Sequence, residues 1–203
     1  MPAATPFLLK PGTLTLPQLR VLADGGQPIA LDPGCWSRID AAADTVQAVI
    51  RERRTVYGVN TGFGSLAHTR ISDDQVAELQ RRLVLSHAAG TGPLLDDRIV
   101  RLVMMLKVNG LALGFSGARR PVLESLVALV NAGAYPLVPA KGSVGASGDL
   151  APLAHMTAAL LGVGEMRVNG RTVPAAEGLK AAGLAPMSLA AKEGLALLNG
   201  TQV

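Results

Sequence analysis

The amino-acid sequence predicts a mainly α-helical bundle with one small β-hairpin. Long stretches keep apolar residues at helical spacing, one Asn-Gly pair sits between two short alternating runs, and 49% of the 203 residues are hydrophobic against 17% charged. So apolar a balance predicts helices packed on several faces, with surface left to bury against a partner or further chain, and hence an oligomer.

Up to Gly34, short apolar runs are broken by Pro11, Gly12, Gly25, Gly26 and Pro33, which suits brief strands or turns. From Ser37, the stripe Ile39, Ala42, Val46, Val49 and Ile50 predicts a helix ending in Arg51, Arg53 and Arg54, well placed at the negative end of its dipole. Gly58, Gly62 and Gly64 then predict a loop. Ser72 with Gln75 reads as a capping box opening a helix whose face Val76, Leu79, Leu83 and His87 runs to a stop at Gly90, Gly92 and Pro93. Asp96 and Asp97 open a strongly apolar helix to about Asn109, and another begins between Ser116 and Pro121 and fades at Gly133. Pro136, Pro139 and the run Gly142 to Gly148 interrupt this pattern, with Asp149 as the N-cap of a helix through Leu161. Glu165 to Val168, Asn169-Gly170 and Arg171 to Val173 read as the hairpin, the only clear β element, and a last helix is expected from Ser188 to about Leu198.

Composition narrows the function classes. The net charge of +4 comes from scattered basic residues, and aromatics at 3% offer no stacking platform, so nucleic acid is not an expected partner. The stretch Pro121 to Ala140 is interrupted by Glu124, Asn131, Gly133, Pro136 and Pro139, which argues against a membrane span. One cysteine, Cys35, rules out an internal disulfide, and with no secretory signal at the N-terminus a cytoplasmic protein is expected. His68, His87 and His155 share no metal-ligand spacing, so no metal is expected.

Four segments carry candidate chemistry. The run Gly142-Ser143-Val144-Gly145-Ala146-Ser147-Gly148 feeds a helix N-terminus that favours an anion, but it lacks the Gly-Lys-Ser/Thr ending of a phosphate loop. By itself it reads more plainly as a Gly-rich connection between helices. Tyr57, in a glycine-rich loop, is a packing residue unless a nearby positive charge or helix terminus favours its phenolate as a base. His87 is either a ring-binding side chain or a cation suited to a helix C-terminus. Asn199 either stabilises developing charge through its amide or ends a helix, with Asn199 or Gly200 left-handed.

The run from Gly142 to Asp149 and on through Leu150-Ala151-Pro152-Leu153-Ala154-His155 closely resembles the signature of the aromatic amino-acid ammonia-lyases. The loop Tyr57 to Gly64, the pair Ser86-His87 and the run Lys192 to Gln202 are similar to further motifs of that family, in the family's order. The resemblance extends from about Leu14 to Gln202. It implies the fumarase/aspartase-like ammonia-lyase bundle, with residues 1–203 as the amino-terminal portion of the domain, a cofactor-forming loop at 142–149, and a carboxy-terminal helical part absent.

In that family an Ala-Ser-Gly triplet becomes 4-methylidene-imidazol-5-one, and the matching residues are Ala146, Ser147 and Gly148. Gly148 carries no side chain to obstruct the bend that brings its nitrogen to the Ala146 carbonyl carbon. The resemblance further implies Tyr57 as the base at the substrate's β-carbon and His87 and Asn199 as substrate-binding residues. Ser86-His87 is similar to the histidine-specific version of its motif, which implies deamination of L-histidine to trans-urocanate and ammonia, and the family resemblance as a whole implies a homotetramer. Two alternatives stand beside this: a tyrosine ammonia-lyase or aminomutase, and a truncated, non-catalytic fragment whose site lacks residues supplied elsewhere.

Overall fold

Apolar residues at helical spacing do form helices in the computed structural model, which describes residues 4–62, 69–144 and 150–203. Helices α1 Leu16–Ala23, α2 Trp36–Arg51, α3 Val76–His87, α4 Asp97–Leu111, α5 Arg120–Ala132, α6 Leu150–Leu160, α7 Ala175–Ala181 and α8 Glu193–Leu198 dominate. Between them lie β1 Phe7–Leu9, β2 Ile29–Leu31, β3 Thr91–Leu94, β4 Ala134–Pro136, β5 Pro139–Lys141, β6 Glu165–Val168 and β7 Arg171–Pro174. None of these helices is long and apolar enough to cross a membrane.

The core centres on α4, which buries Val100, Val103, Met104, Met105, Val108 and Leu111 and packs against α5. Helix α5 buries Val122, Leu123, Leu126, Leu129 and Val130, then stops at Gly133, whose φ of 61° suits a left-handed cap. Each such side chain contributes roughly 1.5–3 kcal/mol on leaving water. Helix α6 is apolar almost all round, as a central helix must be, and packs against α3, α7 and α8.

Buried polar side chains fasten the smaller elements to this core. Arg101, 4% exposed, donates to the carbonyls of Leu22, Gln27 and Val130, so one guanidinium satisfies acceptors near the ends of α1 and α5. Asn131 pairs both ways with the Ile29 backbone, its Oδ1 accepting at 2.8 Å and its Nδ2 donating at 2.9 Å, which ties β2 to α5.

Three expectations are corrected. The N-terminal segment contains a helix, α1, where brief strands or turns alone were expected; the Thr15 N–H donates to Gln18 Oε1 at 2.9 Å and Pro17 suits the first turn. At Ser72 the side chain makes no capping bond, because a 3-10 turn over Asp73–Gln75 comes first and α3 starts at Val76. The hairpin β6–β7 forms, with Asn169 at φ 50° and Gly170 at φ 74° as its turn type demands, but it is not the only β structure. Strand β4 extends it antiparallel, β3 pairs antiparallel with β5, and β1 pairs parallel with β2.

The connection from α4 to α5 is pressed onto α2. Gly117 has φ 73°, and a Cβ there would stand 2.4 Å from Val46 Cγ2. Gly117→Ala therefore combines a left-handed alanine with a clash in packed surroundings, and it should lower stability by about 2–4 kcal/mol in urea denaturation. An unchanged midpoint would contradict this packing.

Candidate active site

Each candidate side chain in the described residues is positioned by its own local device. Tyr57 follows α2 in a loop held by Asn60, which is fully buried: its Oδ1 accepts the Val56 N–H at 3.0 Å and its Nδ2 donates to the Arg54 carbonyl at 2.8 Å. Val59 drops into an apolar cluster with Val46, Val49, Val76 and Ala191, so the loop is anchored on both sides of its turn. Gly58, at φ 74°, leaves no room for a side chain, since a Cβ would lie 2.9 Å from Leu195 on α8. This close approach sets Tyr57 beside α8.

His87 ends α3. Its Nδ1 lies 2.8 Å from the Leu83 carbonyl, an acceptor only, so Nδ1 is the donor of that bond and Nε2 takes no part in it. Asn199 is the C-cap of α8. Its φ of −81° and ψ of 125° are extended, and Gly200 has no positive φ, so neither takes the left-handed cap expected. The helix ends instead with the Asn199 N–H on the Leu195 carbonyl at 2.9 Å and the Asn199 carbonyl accepting from Lys107 Nζ at 2.7 Å.

Tyr57, His87 and Asn199 line one cavity of about 540 Å³. They come from three places in the chain, and Phe115, Lys192 and Leu150 complete much of the wall. Ala146, Ser147 and Gly148 lie outside the described residues, as does His68. Asp149, expected as the N-cap of α6, also lies outside them; on either side of this stretch, a Cβ on Gly142 would stand 3.1 Å from Ala151 Cβ and equally close to Gly90 Cα, and Leu150 opens α6 at the cavity wall. His155 fastens the same region, its Nε2 accepting the Gly90 N–H at 3.0 Å. Burial pushes the His155 imidazole below its usual range, which keeps Nε2 free of the proton that would break this bond.

A family model described as aromatic amino acid lyase matches residues 14–203. The chain belongs to this family. Among curated aromatic amino acid lyases, it is 59% identical over 196 residues to the histidine ammonia-lyase of Shewanella pealeana, covering 97% of this chain and 38% of that protein. The crystal structure of histidine ammonia-lyase from Trypanosoma cruzi superposes with a TM-score of 0.88 at 37% identity, over 97% of this chain and 38% of that one. An ergothionase from Treponema denticola superposes with a TM-score of 0.93 at 26% identity, over 98% of this chain and 40% of that one. The chain thus spans about two fifths of the length of these relatives.

Sequence reasoning missed the polar groups that hold the α8 wall of the site. Glu193, fully buried, accepts from Arg119 Nε and Nη2, both at 2.8 Å, and from the backbone N–H groups of Arg119 and Ala190. This carboxylate in turn holds the Arg119 guanidinium above its ordinary pKa. Lys107, 3% exposed on α4, is pushed by burial from 10.5 to about 8. A charged residue at an apolar position in α4 was the one available signal for it.

Between pH 8 and 10.5 the unfolded chain keeps the Lys107 proton that the folded chain sheds, so stability climbs with pH across that window and the full cost of the buried cation is present below it. Relative to Lys107→Met, the parent protein should gain on the order of 3 kcal/mol over this range in urea melts at stepped pH. Parallel stability curves for the two would contradict a buried, shifted lysine.

Proposed function

We propose that this chain carries the electrophile-bearing part of a histidine ammonia-lyase, converting L-histidine to trans-urocanate and ammonia. The observation that carries the reading is the meeting of Tyr57, His87 and Asn199 around one cavity, with Leu150, just beyond the Ala146-Ser147-Gly148-Asp149 run, in its wall. The histidine ammonia-lyases at 59% and 37% identity support it, against 26% for the ergothionase.

The described residues fit the expected cofactor. Gly142 stands so near α6 that a Cβ there would lie 3.1 Å from Ala151 Cβ, and the cavity lined by Leu150 is wide enough for an amino acid. When formed from Ala146, Ser147 and Gly148, 4-methylidene-imidazol-5-one supplies a methylidene electrophile of a kind that no ordinary side chain offers.

The chain's own residues do the rest. Tyr57, as phenolate, takes the β-proton while the bond from Cα to nitrogen breaks, and the electron pair left at Cβ becomes the double bond of urocanate as ammonia departs. His87, with Nε2 as acceptor, takes the N–H of the substrate imidazole. An apolar substrate ring would leave that nitrogen without a partner, which is a strong ground for selectivity. The Asn199 amide donates to the substrate carboxylate or to the cofactor carbonyl as charge develops.

Tyr57 is 61% exposed and Phe115 80%, so the assembled site draws its remaining walls from the rest of the enzyme and from neighbouring subunits of a homotetramer. A cytoplasmic location suits the single, buried and free Cys35.

In the full-length enzyme, Tyr57→Phe should lower kcat for histidine by roughly 10²–10⁴ with little change in KM. His87→Leu should raise KM for histidine at least tenfold, about 1.4 kcal/mol of lost binding, without preventing cofactor formation. Urocanate absorbance follows both, and wild-type kinetics with histidine in His87→Leu would overturn the assigned substrate.

A further inference from the structure

Helix α8 has only six residues, too few to persist without support. It is held at both ends by side chains from elsewhere in the fold. At its start, Glu193 is gripped by Arg119, and Gln80 Oε1 on α3 accepts the Gly194 N–H at 2.9 Å. At its end Lys107 is a tether of this kind: its Nζ donates to the Asn199 carbonyl across 92 positions of sequence.

That lysine is costly where it stands. It shares α4 with the buried Val103, Met104, Val108 and Leu111, and among the described residues no carboxylate lies within ion-pair reach of it. A methionine of similar length would bury without penalty. What the ammonium supplies is a hold on one peptide group, the last of α8. The next residue is Gly200, which imposes little backbone restraint of its own.

We infer that Lys107 is a positioning residue: by holding the Asn199 carbonyl it sets where the Asn199 side chain stands in the cavity. This rests on the proposed role of Asn199 toward substrate or cofactor. Losing the hold lets the peptide group turn, and a displacement on the order of 1 Å at a reacting site costs up to ~10²-fold in rate.

The test is a double-mutant cycle in the full-length enzyme with Lys107→Met, Lys107→Arg, Asn199→Ala and the Lys107→Met/Asn199→Ala pair. Lys107→Met should lower kcat/KM for histidine by about 10- to 100-fold, and the pair should be no worse than Asn199→Ala alone, because both changes disable the same amide. Lys107→Arg, which keeps a cationic donor, should recover much of the loss. Independently of turnover, amide hydrogen exchange at Asn199 should speed up in Lys107→Met while the mass loss that reports cofactor formation is kept. If the Lys107 and Asn199 losses multiply, or Lys107→Met turns over like wild type while Asn199→Ala is impaired, the inference fails and the function stands. If Asn199→Ala itself is fully active, the role of Asn199 fails and takes this inference with it. Should Lys107→Met not fold, Lys107→Gln serves in the same cycle, with the same outcomes deciding.

Discussion

The buried carboxylate of Glu193 is the point from which the cavity is built. It is withdrawn from water and accepts from two guanidinium N–H groups and two backbone N–H groups, so its lone pairs are satisfied and its charge is paired. Removing Arg119 would leave this carboxylate buried without its cation, at a cost of up to about 3–5 kcal/mol. Through Arg119 it locks the start of α8 to the start of α5, next to Phe115 and Ser116 in the cavity wall. Gln80 on α3 and Lys107 on α4 each add one bond to the same short helix. Three long helices therefore converge on α8, and they fix the distance between the residues it carries and His87 at the end of α3.

The apolar core and these polar tethers divide the labour. Packing of α4 on α5 and of α6 among α3, α7 and α8 supplies stability without specifying a particular side-chain direction at the cavity. Direction comes from single hydrogen bonds: Asn60 to the Tyr57 loop, Leu83 to His87, Lys107 to Asn199 and Gly90 to His155. Each is short in reach; the first three hold groups that line the cavity, and the last joins Gly90 to α6.

Periodicity made the long helices legible. The stripes beginning at Ile39, Val76, Ile99 and Pro121 correspond to α2 to α5, and Asn169-Gly170 announced its hairpin, because these signals are local and repeated. Strands of three residues, such as β1 and β4, are too short to display a period of two. Helix α8 starts five residues later than its expected Ser188, since Lys192 sits at φ 68° and interrupts the helical backbone. Motifs singled out Tyr57, His87 and Asn199, which the fold brings to one cavity, whereas Glu193, Gln80 and Lys107 were hidden for a physical reason. Their partners lie 74, 114 and 92 positions away, and a tether between distant segments leaves no pattern in either one.

The intact mass of the purified full-length protein tests most directly the proposal that the chain makes its own electrophile. Cyclisation of Ala146, Ser147 and Gly148 removes two waters, so the protein should weigh less than its sequence by that amount, with the deficit confined to the peptide spanning Gly142 to Asp149 and abolished by Ser147→Ala. A wild-type protein that turns over histidine at its full sequence mass would contradict the account.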